Sequence, residues 1–323
     1  MPFKKYLSIL IKIVIVFFSF YFIYNELVHH NDVSRISLDS LLDTIINNYS
    51  LIFIVVLMMF INWMLESLKW KFMIRKIEAI SFFTSLRAIF SGITVSSFTP
   101  NRIGEYGGRV FCLEKSDRIQ AVFITILCSM AQLLTTIIFG SFAFFILHEQ
   151  FLDDQYFIIE ISSFSLLVLF TFNILFVLAY FNVASLIKFL LKFSFFNFLR
   201  KYINIISLFN TRDLLVTFLF SVLRYLVFSI QFLILLYVFN VDISLFDAIL
   251  SIMLIFFFIT LTPTITIAEI GVRGSMALLV LLKFSTNIIG ILSSTFLLWI
   301  INLIIPAIIG SFFIFSLKFF RKS

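Results

Sequence analysis

The sequence predicts an all-α polytopic membrane protein: six spanning helices plus two re-entrant helical hairpins in inverted-topology repeats, both termini cytoplasmic. Three observations predict it. Of the 323 residues, 62% are hydrophobic and 13% charged, against roughly 45–50% apolar and about 25% charged in soluble domains. Apolar runs long enough to cross a bilayer recur along the chain. A charge-tipped motif occurs twice, each time after an apolar run too short to cross. This composition, with a mean hydropathy of +1.13, excludes a soluble globular protein, a disordered chain and a secreted disulfide scaffold. The 47 phenylalanines read as general apolar filling in the place leucine usually takes. The whole chain, 1–323, reads as a single membrane domain.

A spanning helix needs roughly 20 apolar residues. Six stretches meet this: 6–24, 51–68, 120–147, 157–181, 214–239 and 286–317. The first has no small-residue cleavage site after it and reads as a retained span, not a signal peptide. The last is overlong and carries Pro306, which predicts a kink, a tilt or a split. Of the 24 Lys and Arg residues, 19 lie in the connections 1–5, 69–118, 182–213 and 318–323. The connections 25–50, 148–156 and 240–285 hold Arg35, Arg273 and Lys283 only, and carry acidic residues instead. That asymmetry predicts a multi-pass protein of the cytoplasmic (inner) membrane with both ends inside. The net charge of +7 is thus a topology signal, and no nucleic-acid partner is expected. Segment 184–201 mixes Lys188, Lys192, Arg200 and Lys201 with Leu and Phe. It reads as a basic helix lying in the inner interface, or else an ordinary cytoplasmic loop. Cys112 and Cys128 have neither metal-ligand spacing nor a disulfide pattern.

Two further apolar runs, 85–98 and 244–261, are too short or too interrupted to cross. The first ends in TPNRIGEYGGR, the second in TPTITIAEIGVR. Both read Thr-Pro, four or five residues, then Glu-x-Gly-x-Arg, pairing Glu105 with Glu269, Gly107 with Gly271 and Arg109 with Arg273. The first copy sits between an inward and an outward span, the second between an outward and an inward one. This makes two repeats, 51–147 and 214–317, of opposite topology. Broken short helices at matching positions of inverted repeats mark transporter sites near the bilayer midplane.

The chemistry agrees. Proline has no N–H and restricts the residue before it, so Thr-Pro ends each half-helix. The freed backbone groups must be buried in protein or line a wet cavity. A charged side chain at mid-membrane costs about 2.5–3.5 kcal/mol, so Glu105, Arg109, Glu269 and Arg273 must pair or face water. Glu and Arg four apart share a helix face and can pair; the couples therefore read either as turn-pinning ion pairs or as ligand groups. The expected turn residues are Pro100, Gly104, Gly107, Pro263 and Gly271, with the glycine between Glu and Arg allowing close backbone approach. The expected substrate-binding residues are Arg102, Glu105, Arg109, Glu269, Arg273 and Arg224. For Arg102 the alternative is a snorkelling interface residue. For Arg224 it is pairing with a carboxylate, Asp247 or Glu66. Glu66 and Lys69 read as an ion pair, and the mid-span amides Asn62, Gln132, Gln231 and Asn302 as interhelical hydrogen bonds. No Walker loop, dinucleotide loop, His-Glu-x-x-His or Gly-x-Ser-x-Gly occurs. No enzyme activity, cofactor or metal is expected, and transport would run on a gradient or by equilibration.

At these two motifs the chain resembles the flippase-like family of the lysylphosphatidylglycerol synthase transmembrane region. Pro100, Arg102, Gly104, Glu105 and Arg109 match its Pro-x-Arg-x-Gly-Glu stretch with a following Arg; Pro263, Gly271, Val272 and Arg273 match its late Pro…Gly-Val-Arg stretch. Gly274 stands where the family often has Glu, and Glu269 where small residues are common. In two-part relatives the membrane domain moves aminoacylated phospholipid between leaflets and a cytosolic domain makes it. The resemblance thus implies a mover without a synthase domain: a lipid flippase or scramblase for a phosphate-bearing headgroup, aminoacylated or polyprenyl-linked. Arg109, Arg273 and Arg102 would hold the phosphate, and Glu105 and Glu269 an amine or a proton. Two alternatives remain at this point. One is a non-transporting membrane subunit of a polyprenyl-linked glycosyltransferase pathway. The other is a secondary transporter of a small solute or ion. Membrane lipids are the expected partners, with a homo-oligomer and a lipid-modifying or glycosyltransferase partner left open.

Overall fold

The structure, a computed structural model, describes residues 38–97, 99, 103–151, 163–193, 203–262 and 266–314. The expected first span at 6–24, the C-terminal segment 318–323, and Pro100, Arg102 and Pro263 lie outside the described residues.

Apolar residues fill long stretches without helix breakers, and the backbone satisfies itself as helix throughout. In order come Leu38–Asn47 (α1), Tyr49–Ile74 (α2), Phe82–Ser97 (α3), Gly104–Val110 (α4) and Arg118–Leu147 (α5). Ser163–Phe181 (α6), Val183–Leu190 (α7), Ile203–Ile206 (α8) and Thr211–Val238 (α9) follow. Leu245–Leu261 (α10), Thr266–Leu281 (α11), Ile288–Trp299 (α12) and Ile305–Ile314 (α13) complete the series. No strand occurs among the described residues.

Helix ends are set by polar side chains. Asp117 Oδ1 accepts the Ile119 N–H at the start of α5 (2.9 Å), and Ser244 Oγ accepts the Asp247 N–H at the start of α10 (3.2 Å). α9 ends in a Schellman turn: Asn240 takes φ 52°, Val241 N–H returns to Leu236 O and Asn240 N–H to Tyr237 O. Asn287 Nδ2 then donates to the Phe239 and Asn240 carbonyls, while its Oδ1 caps α12 at Gly290.

Four described segments are long and apolar enough to cross a bilayer: α2, α5, α9 and the joined stretch Ile288–Phe313, with α6 and α7 forming a fifth if taken together. The protein is therefore a multi-pass helical membrane protein. α6 and α7 are bent by 93°; of the basic segment 184–201, only the part up to Phe193 is described, helical to Leu190. The predicted irregularity near Pro306 is a π turn at Ile300–Ile304, in which Ile305 N–H returns to Ile300 O. Proline lacks the N–H that would close the next α turn, so the break is absorbed within one continuous apolar stretch.

α3 and α10, at 16 and 17 residues, rise only about 25 Å against a hydrocarbon core of about 30 Å. The order long helix, short helix, return helix, long segment thus occurs twice: α2–α5, then α9–α13. The two groups interlock reciprocally. α2 packs on α9, α3 on α13, the last of the described helices, and α10 on α5. Outward faces are apolar, as with Phe53, Leu57, Phe60 and Met64 on α2 and Leu219, Leu223 and Ile230 on α9, which suits acyl chains as solvent. Between them Trp70 Nε1 donates to Thr125 Oγ1 (3.0 Å) and Gln231 Nε2 to Val55 O (2.8 Å).

Candidate functional site: a charge cluster between two chambers

At the first motif α3 and α4 pack against each other. Thr99 Oγ1 accepts the Gly104 N–H (2.8 Å), and α4 begins at Gly104. A Cβ on Gly104 would lie 2.6 Å from Val95 O and 2.7 Å from Thr99 Oγ1. Close backbone approach was expected at Gly107; the structure puts it one residue later. A Cβ on Gly108 would meet Gly92 Cα at 2.6 Å, whereas one on Gly107 would find nothing nearer than 3.7 Å. The expectation of turn residues at Gly107 and Gly271 is likewise corrected. Both lie inside helices, Gly107 in Gly104–Val110 and Gly271 in Thr266–Leu281. At the second motif Thr262 Oγ1 donates to Phe258 O (2.9 Å) at the end of α10.

Helical spacing puts Glu105 and Arg109 on one face of α4, and they are paired. Arg109 is 2% exposed, and its Nη1 also donates to Glu66 Oε1 of α2 at 2.8 Å. Glu66 is the hub. Its Oε2 accepts from Lys69 Nζ at 2.7 Å and from Arg224 Nη1 of α9. One carboxylate thereby gathers three cations from three helices, using most of its lone-pair sites. Of the two partners open to Arg224, Glu66 is the one found; Asp247 instead accepts from Ser244 Oγ at the start of α10. Arg224 is held on its other sides by Asn62 Oδ1 (3.0 Å), Gln132 Oε1 (3.4 Å) and the face of Trp63, 5.2 Å away. Lys69 also reaches Cys128 O (3.4 Å) and Ser221 Oγ (3.3 Å).

The second motif repeats the couple. Arg273 donates through Nε and Nη2 to Glu269 Oε1, at 3.0 and 2.6 Å.

Two cavities adjoin these groups. One, about 290 Å³, is lined by Glu66, Lys69, Glu105, Ser96 and Ser129. The other, about 260 Å³, is lined by Arg273, Asn62, Asn302, Tyr225, Phe256 and Trp299. Trp63, Gln132, Thr136, Arg224, Thr260 and Leu303 line both, so the chambers abut at Arg224. Each motif contributes one member of its couple to a wall, Glu105 to the first and Arg273 to the second. Arg109 and Glu269 line neither chamber; Arg109 reaches the first through the carboxylates it binds.

The sequence model of the lysylphosphatidylglycerol synthase TM region matches residues 9–310. The chain belongs to that family. A comparison with curated proteins gives no match. The resemblance read from the two motifs is thus shown over nearly the full chain, and the charge cluster is a feature of this member of the lysylphosphatidylglycerol synthase TM region. Of its expected binding residues, the structure brings Arg109 and Arg224 onto Glu66, and Glu105 onto Arg109. It sets Arg273, which pairs with Glu269, on the wall of the neighbouring chamber.

The sequence reads Glu66 as half of a Glu66–Lys69 pair and as one of two carboxylates open to Arg224, without Arg109 as a third cation. The hub's signal was a lone carboxylate within the apolar helix Tyr49–Ile74, costly unless several partners converge on it. At the start of α9, Lys76 pairs with Asp213 (3.0 Å). Glu78 accepts the backbone N–H groups of Glu114, Lys115 and Ser116 (3.0, 3.0 and 2.7 Å). Partial burial pushes the Glu78 carboxyl up, but these donors outweigh it and hold it below the usual carboxylate range. Among the described residues no group of His, Cys, Asp and Glu has metal-ligand geometry.

Proposed function

We propose that this protein moves a phosphate-bearing lipid headgroup, aminoacylated or polyprenyl-linked, between leaflets as a flippase or scramblase. The observation that carries the reading is the pair of abutting chambers with their charge balance. Four cations, Lys69, Arg109, Arg224 and Arg273, stand with three carboxylates, Glu66, Glu105 and Glu269, inside an apolar helical body. The surplus of one positive charge suits an anionic phosphodiester, and guanidinium groups bind phosphate oxygens with directional hydrogen bonds. Family membership supports a lipid-linked role. The reciprocal packing of α3 on α13 and α10 on α5 supports two inverted repeats whose re-entrant hairpins meet at a common site. The Lys/Arg asymmetry supports cytoplasmic termini in an inner membrane. In this reading the residues bind and release, without covalent catalysis.

The test is headgroup translocation in proteoliposomes. Wild type is expected to speed transfer of a labelled phospholipid over protein-free vesicles, and Arg109→Ala/Arg273→Ala to lose most of that gain. Equal rates for the two proteins would count against the proposal.

A further inference from the structure

We propose that Glu66 is an internal competitor for the substrate's phosphate: its carboxylate and an incoming phosphodiester contend for the same cations. The inference rests on the transport reading above and adds how the site is loaded and released.

Three facts lead to it. Glu66 is 3% exposed yet borders a chamber, so its charge is held almost wholly by protein groups. Its three cations come from separate elements: Lys69 from its own helix, Arg109 from the first hairpin, Arg224 from α9. Arg224 lines both chambers and has a second set of supports in Asn62, Gln132 and the Trp63 ring. It can therefore give up Glu66 without being stranded, and of the three cations it alone faces both chambers.

The electrostatics follow. With Glu66 and Glu105 ionised, the three cations leave one positive charge over on this side of the cavity, and a phosphodiester monoanion neutralises it. A phosphate that reaches Arg224 must take it from a carboxylate already in contact. Binding is weakened by that exchange, and release is assisted by the carboxylate's return. Carriers need such moderate affinity, since a headgroup bound too tightly does not leave.

The proposal makes opposite predictions for two near-isosteric changes. Glu66→Gln removes the competitor, and Asn62→Asp adds one, 3.0 Å from Arg224 Nε. In phosphatidylcholine nanodiscs doped with increasing phosphatidylglycerol, the lipid-dependent rise in melting temperature gives an apparent affinity. Glu66→Gln is expected to bind at least about tenfold more tightly than wild type, the factor one charge-assisted hydrogen bond carries, and to translocate more slowly. Asn62→Asp is expected to bind at least about tenfold more weakly by the same measure. Inorganic phosphate added to pure phosphatidylcholine nanodiscs separates the sources. A gain for Glu66→Gln with phosphatidylglycerol alone assigns the site to a lipid headgroup, and a gain with inorganic phosphate as well assigns it to phosphate from either source. An affinity in Glu66→Gln equal to or below wild type overturns the proposal. Should that variant not fold, unchanged affinity in Asn62→Asp overturns it independently. Wild type that translocates lipid while both variants bind as wild type refutes the competitor alone; wild type that neither binds nor translocates refutes the transport reading with it.

Discussion

Glu66 and Arg109 form the most enclosed ion pair across two helices of the cluster, 2.8 Å apart, with side-chain exposures of 4% and 2%. Removing one partner of such a pair leaves a buried charge uncompensated, at a cost of about 3–5 kcal/mol. Arg109→Gln leaves Glu66 with Lys69 and Arg224, and so falls near ~3 kcal/mol. Glu66→Gln leaves three cations facing only the partly exposed Glu105, and so falls near ~5 kcal/mol. If the two acted separately, the double variant would lose about 8 kcal/mol; a direct pair brings back ~1–3 kcal/mol of coupling. Unfolding entropy of ~2.1 cal/mol/K per residue makes 3 kcal/mol about 4 °C and 5 kcal/mol about 7 °C for a chain of this length. Thermal unfolding followed by tryptophan fluorescence in phosphatidylcholine nanodiscs reads all four proteins. The double variant is expected several degrees above the additive value. Strict additivity, or Arg109→Gln melting within a degree of wild type, would refute the hub.

Two further predictions concern the hairpin and the loop that ties it down. Gly108→Ala puts a methyl against Gly92 Cα, a backbone atom that cannot turn aside, and is expected to lower the melting temperature clearly. Gly107→Ala has room and is expected to be neutral or stabilising by up to ~1 kcal/mol, the helix-propensity difference. Equal effects in one melting series would contradict the crossing of α3 and α4. For Glu78, the folded-state pKa is the lower one, so its stabilisation is present above the unfolded value and lost as pH falls through the folded one. Glu78→Gln should thus melt below wild type at pH 7, and the gap should close in melts taken progressively below pH 4.5. A gap that widens on acidification would contradict the assignment.

Much of this architecture was legible in the residues. Apolar run length located α2, α5, α9 and the 288–314 stretch, and the two Thr-Pro breaks placed the ends of α3 and α10. The i, i+4 spacing of Glu105–Arg109 and Glu269–Arg273 predicted both couples. What one sequence could not show is convergence. Glu66, Arg109 and Arg224 are 43 to 158 residues apart, and no local pattern says which helices meet. Local spacing also misplaced the close approach, because Gly107 and Gly108 are neighbours in sequence and only the helix crossing selects between them. Pro306 predicts a kink, a tilt or a split, and the sequence alone does not select the π turn found at Ile300–Ile304.

If a headgroup passes through the chambers that meet at Arg224, a steric block there stops it without touching a charge. Thr136 lines both chambers and is 8% exposed; its hydroxyl bonds only to Gln132 O of its own helix. Thr136→Trp should fill much of the junction. With labelled phosphatidylglycerol in proteoliposomes, translocation is expected to fall to the protein-free rate in a variant that still melts cooperatively. Wild-type translocation by that folded variant would contradict that route.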